Sequence, residues 1–271
     1  MTPPGDGAPE AVHVVTGAAR GMGLALARHL ADAGGHLVVA DVAPIDPSLF
    51  AREVTTVACD VTSNDQVAEL ARTAGAIGPV RSLVHAAGVS PTMGDARLMF
   101  AVDLAGTARV VSAFESIMAP GGAAVLFASM AAHLTATADA GPLGEILLDP
   151  LVPGAEKAFV GAEQVAEDPG MAYGWAKRGV IELARRSAAP WGRRGARINS
   201  VSPGMIDTPM GRQEWDAQPM MAVLLEGTPL ARLGAEDDMV GAVSFLLSDA
   251  ASYVTGVDLI VDGGVVATIP R

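Results

Sequence analysis

Thr16-Gly17-Ala18-Ala19-Arg20-Gly21-Met22-Gly23 is the stretch on which the fold of this chain turns. It follows an apolar run at 11–15 that predicts a strand, and it opens a helix predicted over 21–33 and closed by Gly34-Gly35. Gly17 permits a tight turn. Gly21 and Gly23 let the backbone and helix come close to a pyrophosphate, and the free N–H groups at the helix start face an anion. A plain strand–helix turn also uses glycine for its backbone angles, so the stretch has to be read with what surrounds it.

Outward from the turn the same alternation continues. Apolar runs at 36–40, 54–58, 80–85, 123–128, 196–201 and 257–261 predict six more strands. Helices are predicted at 65–74 behind a Ser63 cap, at 96–118 ending at Pro120-Gly121-Gly122, at 172–189 and at 236–247. Strands alternating with helices predict an α/β protein with a parallel sheet covered on both faces, and near-continuous apolar strands fit such a sheet. No repeat and no linker interrupts the chain. Residues 1–10 read as a flexible tail and 11–271 as one domain.

The 271 residues are half hydrophobic and carry a formal net charge of −12. An acidic surface repels phosphate backbones, which argues against nucleic acid as a partner. The first ten residues have no basic or apolar signal region, and no apolar run is long enough to span a bilayer. A soluble cytoplasmic protein with no membrane partner is the expectation. Cys59 is the single cysteine and reads as a small buried side chain. The five histidines lack ligand spacing, so no metal site is expected.

Asp41 ends the second predicted strand, 18 residues after Gly23. A carboxylate there accepts from adenosine ribose hydroxyls and repels a 2′-phosphate, which favours NAD over NADP. Arg20 argues mildly for the phosphate. Asp60 follows the third strand and suits either an adenine amino group or a helix cap. Tyr173 and Lys177 stand one helical turn apart in Tyr173-Gly174-Trp175-Ala176-Lys177. The lysine charge favours tyrosinate and draws the phenol toward working pH.

Beside these motifs stand Cys59-Asp60-Val61-Thr62, His85-Ala86-Ala87-Gly88, Ser202-Pro203-Gly204 with Thr208, and Asp258-Leu259-Ile260-Val261-Asp262-Gly263-Gly264, all in one fixed order. The ordered set resembles the short-chain dehydrogenase/reductase family over roughly residues 11–266, and its layout is most similar to the bacterial 3α-hydroxysteroid dehydrogenase/carbonyl reductase branch. That resemblance implies a Rossmann-type, doubly wound, seven-stranded parallel sheet and an NAD(P)-dependent oxidoreductase acting on CH–OH donors, usually a homodimer or homotetramer. It implies Tyr173 as general acid/base, Lys177 beside it and on the nicotinamide ribose, and Ser129 holding the substrate oxygen. Cofactor contacts fall on Gly17, Ala19, Arg20, Gly21, Met22 and Gly23 of the turn, then on Asp41, Asp60 and Val61. Ala87 and Gly88 approach the adenine ribose, and Pro203, Gly204, Ile206 and Thr208 the carboxamide.

Three departures from the family pattern stand out. His85 replaces an asparagine and reads as a satisfied sheet residue. Asp103 replaces the asparagine that holds a water of the proton relay; it is expected to keep that role, with the added charge holding Lys177 as the cation. Ser129 and Tyr173 are 44 residues apart, so roughly 135–170 reads as an insertion that alters assembly, covers the substrate, or both. Residues 156–167 within it predict a short amphipathic helix.

The segment 205–234 reads as a substrate lid. Its Ile206, Met210, Trp215, Met220, Met221, Val223, Leu224 and Leu225 suit a small but bulky apolar alcohol or ketone, hydroxysteroid-like or alicyclic, unless they only pack the lid down. Two other functions fit the same motifs: an NADP-dependent 3-oxoacyl thioester ketoreductase and a non-catalytic NAD-binding sensor.

Overall fold

The computed structural model describes residues 10–135, 140–165 and 168–269. Seven strands form one sheet: β1 (Val12–Thr16), β2 (His36–Asp41), β3 (Thr55–Ala58), β4 (Val80–His85), β5 (Met118–Phe127), β6 (Arg197–Pro203) and β7 (Asp258–Val261). Their order is β3-β2-β1-β4-β5-β6-β7, and every neighbouring pair is parallel. The chain starts mid-sheet, winds to one edge and returns to wind to the other. Such a reversal leaves a crevice at the carboxyl ends of β1 and β4.

Val14 and Val15 point to opposite faces, as the period of a strand requires, and neither has solvent contact. Helices α1 (Gly21–Ala33) and α9 (Glu236–Leu247) bury Leu26, Leu30, Val243 and Leu246 against the Val15 face. On the Val14 face, α2 (Asn64–Ile77), α3 (residues 96–115) and α6 (Pro169–Arg193) bury Leu70, Phe114, Val180 and Ile181. Each such side chain contributes roughly 1.5–3 kcal/mol when fully buried. This two-sided burial is the reason the strands read as continuous apolar runs.

Helix α3 is three contiguous segments, Ala96–Leu98, Met99–Gly106 and Thr107–Glu115, and the middle one is π-helical. It stops at Glu115, short of the predicted 118. Met118 already begins β5, which runs through Pro120-Gly121-Gly122 instead of starting after it. The Arg81 guanidinium donates to the Pro120 carbonyl at 2.6 Å, and the Gly121 N–H donates to the Gly195 carbonyl at 2.6 Å, so partners on two sides pin this stretch as a bulge between the Val80–Met118 and Ser82–Ala123 pairs, with Gly121 at a φ of 75°. Helix α6 starts earlier than predicted because the Asp168 carboxylate caps it, accepting from the Gly170 N–H at 2.8 Å, with Pro169 in the first helical position.

Between Ser129 and Tyr173 lie α4 (Leu143–Leu148) and α5 (Ala155–Val160). The helix expected over 156–167 is thus a shorter one, and residues 166–167 lie outside the described residues. Leu143, Leu147 and Phe159 pack on Phe100 and Leu104 of α3 and on Trp175 of α6. The Phe100 and Phe159 ring centroids are 5.3 Å apart. After β6 come α7 (Pro209–Ala217) and α8 (Met220–Glu226), which stand over the carboxyl ends of the strands. Among the described residues no helix is long and apolar enough to cross a membrane, and no cluster of His, Cys, Asp or Glu is placed to hold a metal ion.

Candidate active site

A cavity of about 720 Å³ opens along the crevice. Its wall takes in every sequence-predicted site residue except Ala19 and Asp103. The glycine turn forms one end. Gly17 and Gly21 adopt positive φ of 73° and 58°. A Cβ on Gly17 would lie 2.5 Å from the Ala87 nitrogen, and one on Gly23 would strike the Gly17 carbonyl. The glycines therefore let the turn, the β4 end and α1 close on one another. No side chain caps α1, so its first N–H groups stay open to an anion. This cradle fits the pyrophosphate of a dinucleotide.

Asp41 stands next along the wall. Its Oδ2 accepts from the Ala19 N–H at 2.9 Å and its Oδ1 from the Ala43 N–H at 2.9 Å. Ala19 thus orients the carboxylate from behind the wall, and its N–H is committed to Asp41. Asp60 Oδ1 accepts from the Thr62 N–H at 2.8 Å, while Ser63 caps α2 by accepting from the Gln66 N–H at 3.4 Å. The cap alternative for Asp60 is therefore taken by Ser63. Beside it, burial and the Asp60 charge push the Cys59 thiol up to about 11, which keeps it an inert thiol.

At the other end Ser129, Tyr173 and Lys177 share the wall. Tyr173 and Lys177 are presented by α6 and Ser129 by the end of β5. The Lys177 ammonium is buried, donating to the Phe127 carbonyl at 3.1 Å and lying 3.0 Å from Asp103 Oδ1. One of its three N–H groups remains for a ligand. Gly88 makes room for this pair, since a Cβ there would lie 2.7 Å from Asp103 Oδ1 and 3.1 Å from Lys177 Nζ. Asp103 projects from the π-helical segment behind the wall, with its Oδ1 also accepting from the Val89 N–H at 3.1 Å. Its Oδ2 is buried without a protein partner among the described residues.

The electrostatics depart from the simple lysine–tyrosine picture. Burial pushes the Tyr173 phenol upward, the Glu214 and Asp103 carboxylates push it the same way, and the neighbouring Ser129 hydroxyl opposes them. Burial also raises the Asp103 carboxyl, against the pull of the Lys177 charge. Lys177 is matched by Asp103, so its charge does not act on Tyr173 alone.

His85, expected to be a satisfied sheet residue, is bonded at both ring nitrogens, 2.7 Å from Thr16 Oγ1 and 3.0 Å from Thr107 Oγ1. Thr107 donates its only proton to the Asp103 carbonyl at 2.6 Å, so His85 Nε2 must carry a proton and Nδ1 must accept. The residue that sequence reasoning missed is Glu214, a lid carboxylate turned into the cavity. Its i, i+4 spacing from Met210 was the available signal, because it puts both on one face of α7.

The lid supplies Met205, Ile206, Met210, Trp215 and Met221 to the wall, while Met220 and Val223 face solvent. Thr208 Oγ1 accepts from the Gly211 N–H at 3.0 Å to cap α7, which leaves the hydroxyl proton free. No described residue of 135–170 lines the cavity; the stretch packs on the outer faces of α3 and α6.

Comparison with known proteins places this geometry. A family profile described as "Enoyl-(Acyl carrier protein) reductase" matches residues 17–141 and 156–266. The chain is 33% identical over 271 residues to cis-4-hydroxycyclohexanecarboxylate dehydrogenase of Sinomonas cyclohexanicum, covering 97% of this chain and 99% of the relative. It is 30% identical to 3-alpha-hydroxysteroid dehydrogenase/carbonyl reductase of Comamonas testosteroni, covering 94% and 96%. The crystal structure of a 3-alpha-hydroxysteroid dehydrogenase from Pseudomonas sp. B-0831, complexed with NADH, superimposes with a TM-score of 0.75 at 29% identity, covering 93% of this chain and 95% of that one. The chain belongs to the short-chain dehydrogenase/reductase family of oxidoreductases.

Proposed function

We propose that the protein is an NAD-dependent dehydrogenase of secondary alcohols, running in reverse as a ketone reductase, with a bulky alicyclic or hydroxysteroid-like substrate. The observation that carries this reading is the presence of Ser129, Tyr173 and Lys177 on one cavity wall with the glycine turn and Asp41. NAD, when bound, supplies the acceptor for the substrate hydride. In the oxidative direction Tyr173 takes the hydroxyl proton, Ser129 steadies the charge developing on oxygen, and Lys177 holds the ribose end of the cofactor with its remaining N–H.

Asp41 supports NAD over NADP. Two backbone N–H groups fix its carboxylate in place, where it accepts ribose hydroxyls and repels a phosphate. The methionine-rich wall supports a bulky apolar ring system. Two relatives at 30% identity or more are named for ring alcohols, a hydroxysteroid and a hydroxycyclohexanecarboxylate, which points the same way for the ring and its hydroxyl.

The test is Tyr173→Phe. Turnover of secondary alcohols should fall about 10²–10⁴-fold, while NADH still binds as judged by its fluorescence. Undiminished turnover in the variant rejects the role given to Tyr173.

A further inference from the structure

Glu214 has no part in the reaction just described, yet it lines the same cavity as Ser129 and Tyr173. Its helix neighbours Arg212, Gln213, Trp215 and Asp216 are exposed, whereas Glu214 is half-buried. Burial raises the Glu214 carboxyl, while the Ser90 hydroxyl, buried and 2.9 Å from Thr92 Oγ1, acts to hold it down. The carboxylate is near enough to bear on the Tyr173 phenol through its charge. The same cavity wall carries the apolar side chains of Met93, Leu98, Met205 and Met221.

We infer that Glu214 is a specificity-determining residue: it accepts a hydrogen bond from a second donor group on the substrate, a hydroxyl or an ammonium, and disfavours substrates that carry a carboxylate at that end. The inference rests on the dehydrogenase reading, because the first oxygen of the substrate is the one held by Ser129 and Tyr173. A carboxylate has about four acceptor sites, and this one lies on a cavity wall that is largely apolar. In such a setting a donor on the substrate gains a charge-assisted bond, and an anion meets repulsion that little water screens. The size of the effect follows from the burial of Glu214. Sites whose polar groups are stranded without substrate discriminate by about 10⁴–10⁵-fold. Glu214 is only half-buried and keeps part of its hydration when no donor is present, so discrimination of about tenfold is expected.

The experiment compares cyclohexanol, the 1,3- and 1,4-cyclohexanediols, 4-aminocyclohexanol and 4-hydroxycyclohexanecarboxylate. Each is assayed for kcat/KM in NAD reduction and, by calorimetry, for binding to the enzyme–NADH complex, where no oxidation can occur. At least one diol or the amino alcohol should exceed cyclohexanol about tenfold, and the carboxylate should fall below it. Glu214→Leu should bring these ratios to near one. Glu214→Gln should keep the diol preference, lose the extra preference for ammonium, and relieve the exclusion of carboxylate. Preference for the diols identifies the donor as hydroxyl, and preference for the amino alcohol alone identifies it as cationic. Ratios near one in the native enzyme, or ratios unchanged in Glu214→Leu, overturn the inference. If no alcohol reduces NAD, the dehydrogenase reading fails, and the binding ratios still decide the role of Glu214.

Discussion

The Lys177 ammonium lies 3.0 Å from Asp103 Oδ1, and neither side chain is exposed by more than 6%. Removing one partner of such a pair leaves a bare buried charge and costs about 3–5 kcal/mol; Asp103→Ala should therefore be poorly folded. Asp103→Asn is the informative change. Asparagine retains an acceptor for Lys177 and for the Val89 N–H but removes a negative charge that raises the Tyr173 phenol. The phenol should then ionise more easily. Alcohol oxidation needs the phenolate, so the pH at half-maximal kcat/KM should move downward, with most of the turnover retained. A pH–rate profile of the variant checks this. A tenfold or greater loss of turnover at neutral pH would mean that asparagine cannot replace Asp103 here.

Asp41 is tied to the glycine turn through Ala19 and to its own strand end through Ala43, both at 2.9 Å. Asp41→Ala removes the acceptor for ribose hydroxyls, the repulsion of a 2′-phosphate and the tie to the turn together. The exposed Arg20 on the same wall is then free to meet a phosphate. The ratio of kcat/KM for NAD to that for NADP should fall at least tenfold, a change of about 1.4 kcal/mol. Steady-state kinetics with both cofactors measure it, and an unchanged ratio removes Asp41 from cofactor choice.

The sheet was legible because each strand is apolar on both faces and each is bounded by a turn or helix signal. All seven strands were located, six of them to within two residues at either end. The exception, β5, starts early at Met118 because Arg81 and Gly195 pin the Pro120-Gly121-Gly122 stretch as a bulge within the strand, and both partners are remote in sequence. The residues that share the cavity wall were legible through an ordered set of short motifs and the family resemblance that the set carries. What did not show was tertiary in origin. No local pattern marks the π-helical turn that carries Asp103. The network of His85 joins positions 16, 85 and 107, and the turn of Glu214 into the cavity depends on how α7 sits on the body of the protein.

Phe159 tests whether the stretch between Ser129 and Tyr173 supports the site or only covers its outer side. It is fully buried, stacked near Phe100 of α3 and remote from the cavity wall. Phe159→Ala should cost about 3–5 kcal/mol in thermal or denaturant unfolding. NADH affinity should change less than twofold, because no cofactor-wall residue moves directly. A large loss of NADH binding in the folded variant would show instead that α5 braces α3 and α6 in the arrangement that places Lys177.

His85 links the glycine turn to the π-helical segment through Thr16 on one side and Thr107 on the other. Burial, assisted by the Lys177 charge, lowers its pKa from 6.5 to about 3, so it is neutral in the folded enzyme. Between these two values the unfolded chain binds a proton that the folded chain does not. Native stability therefore falls as pH drops through this window, by at most about 1.4 kcal/mol per pH unit from this one group. His85→Asn should cost about 1–3 kcal/mol at pH 7, since at least one threonine hydroxyl loses its partner. The variant also loses the acid-side penalty, so its deficit relative to the native protein should shrink on moving from pH 7 to pH 4.5. Denaturant unfolding at the two pH values measures this, and a deficit that stays constant or widens would place a protonated histidine in the native core.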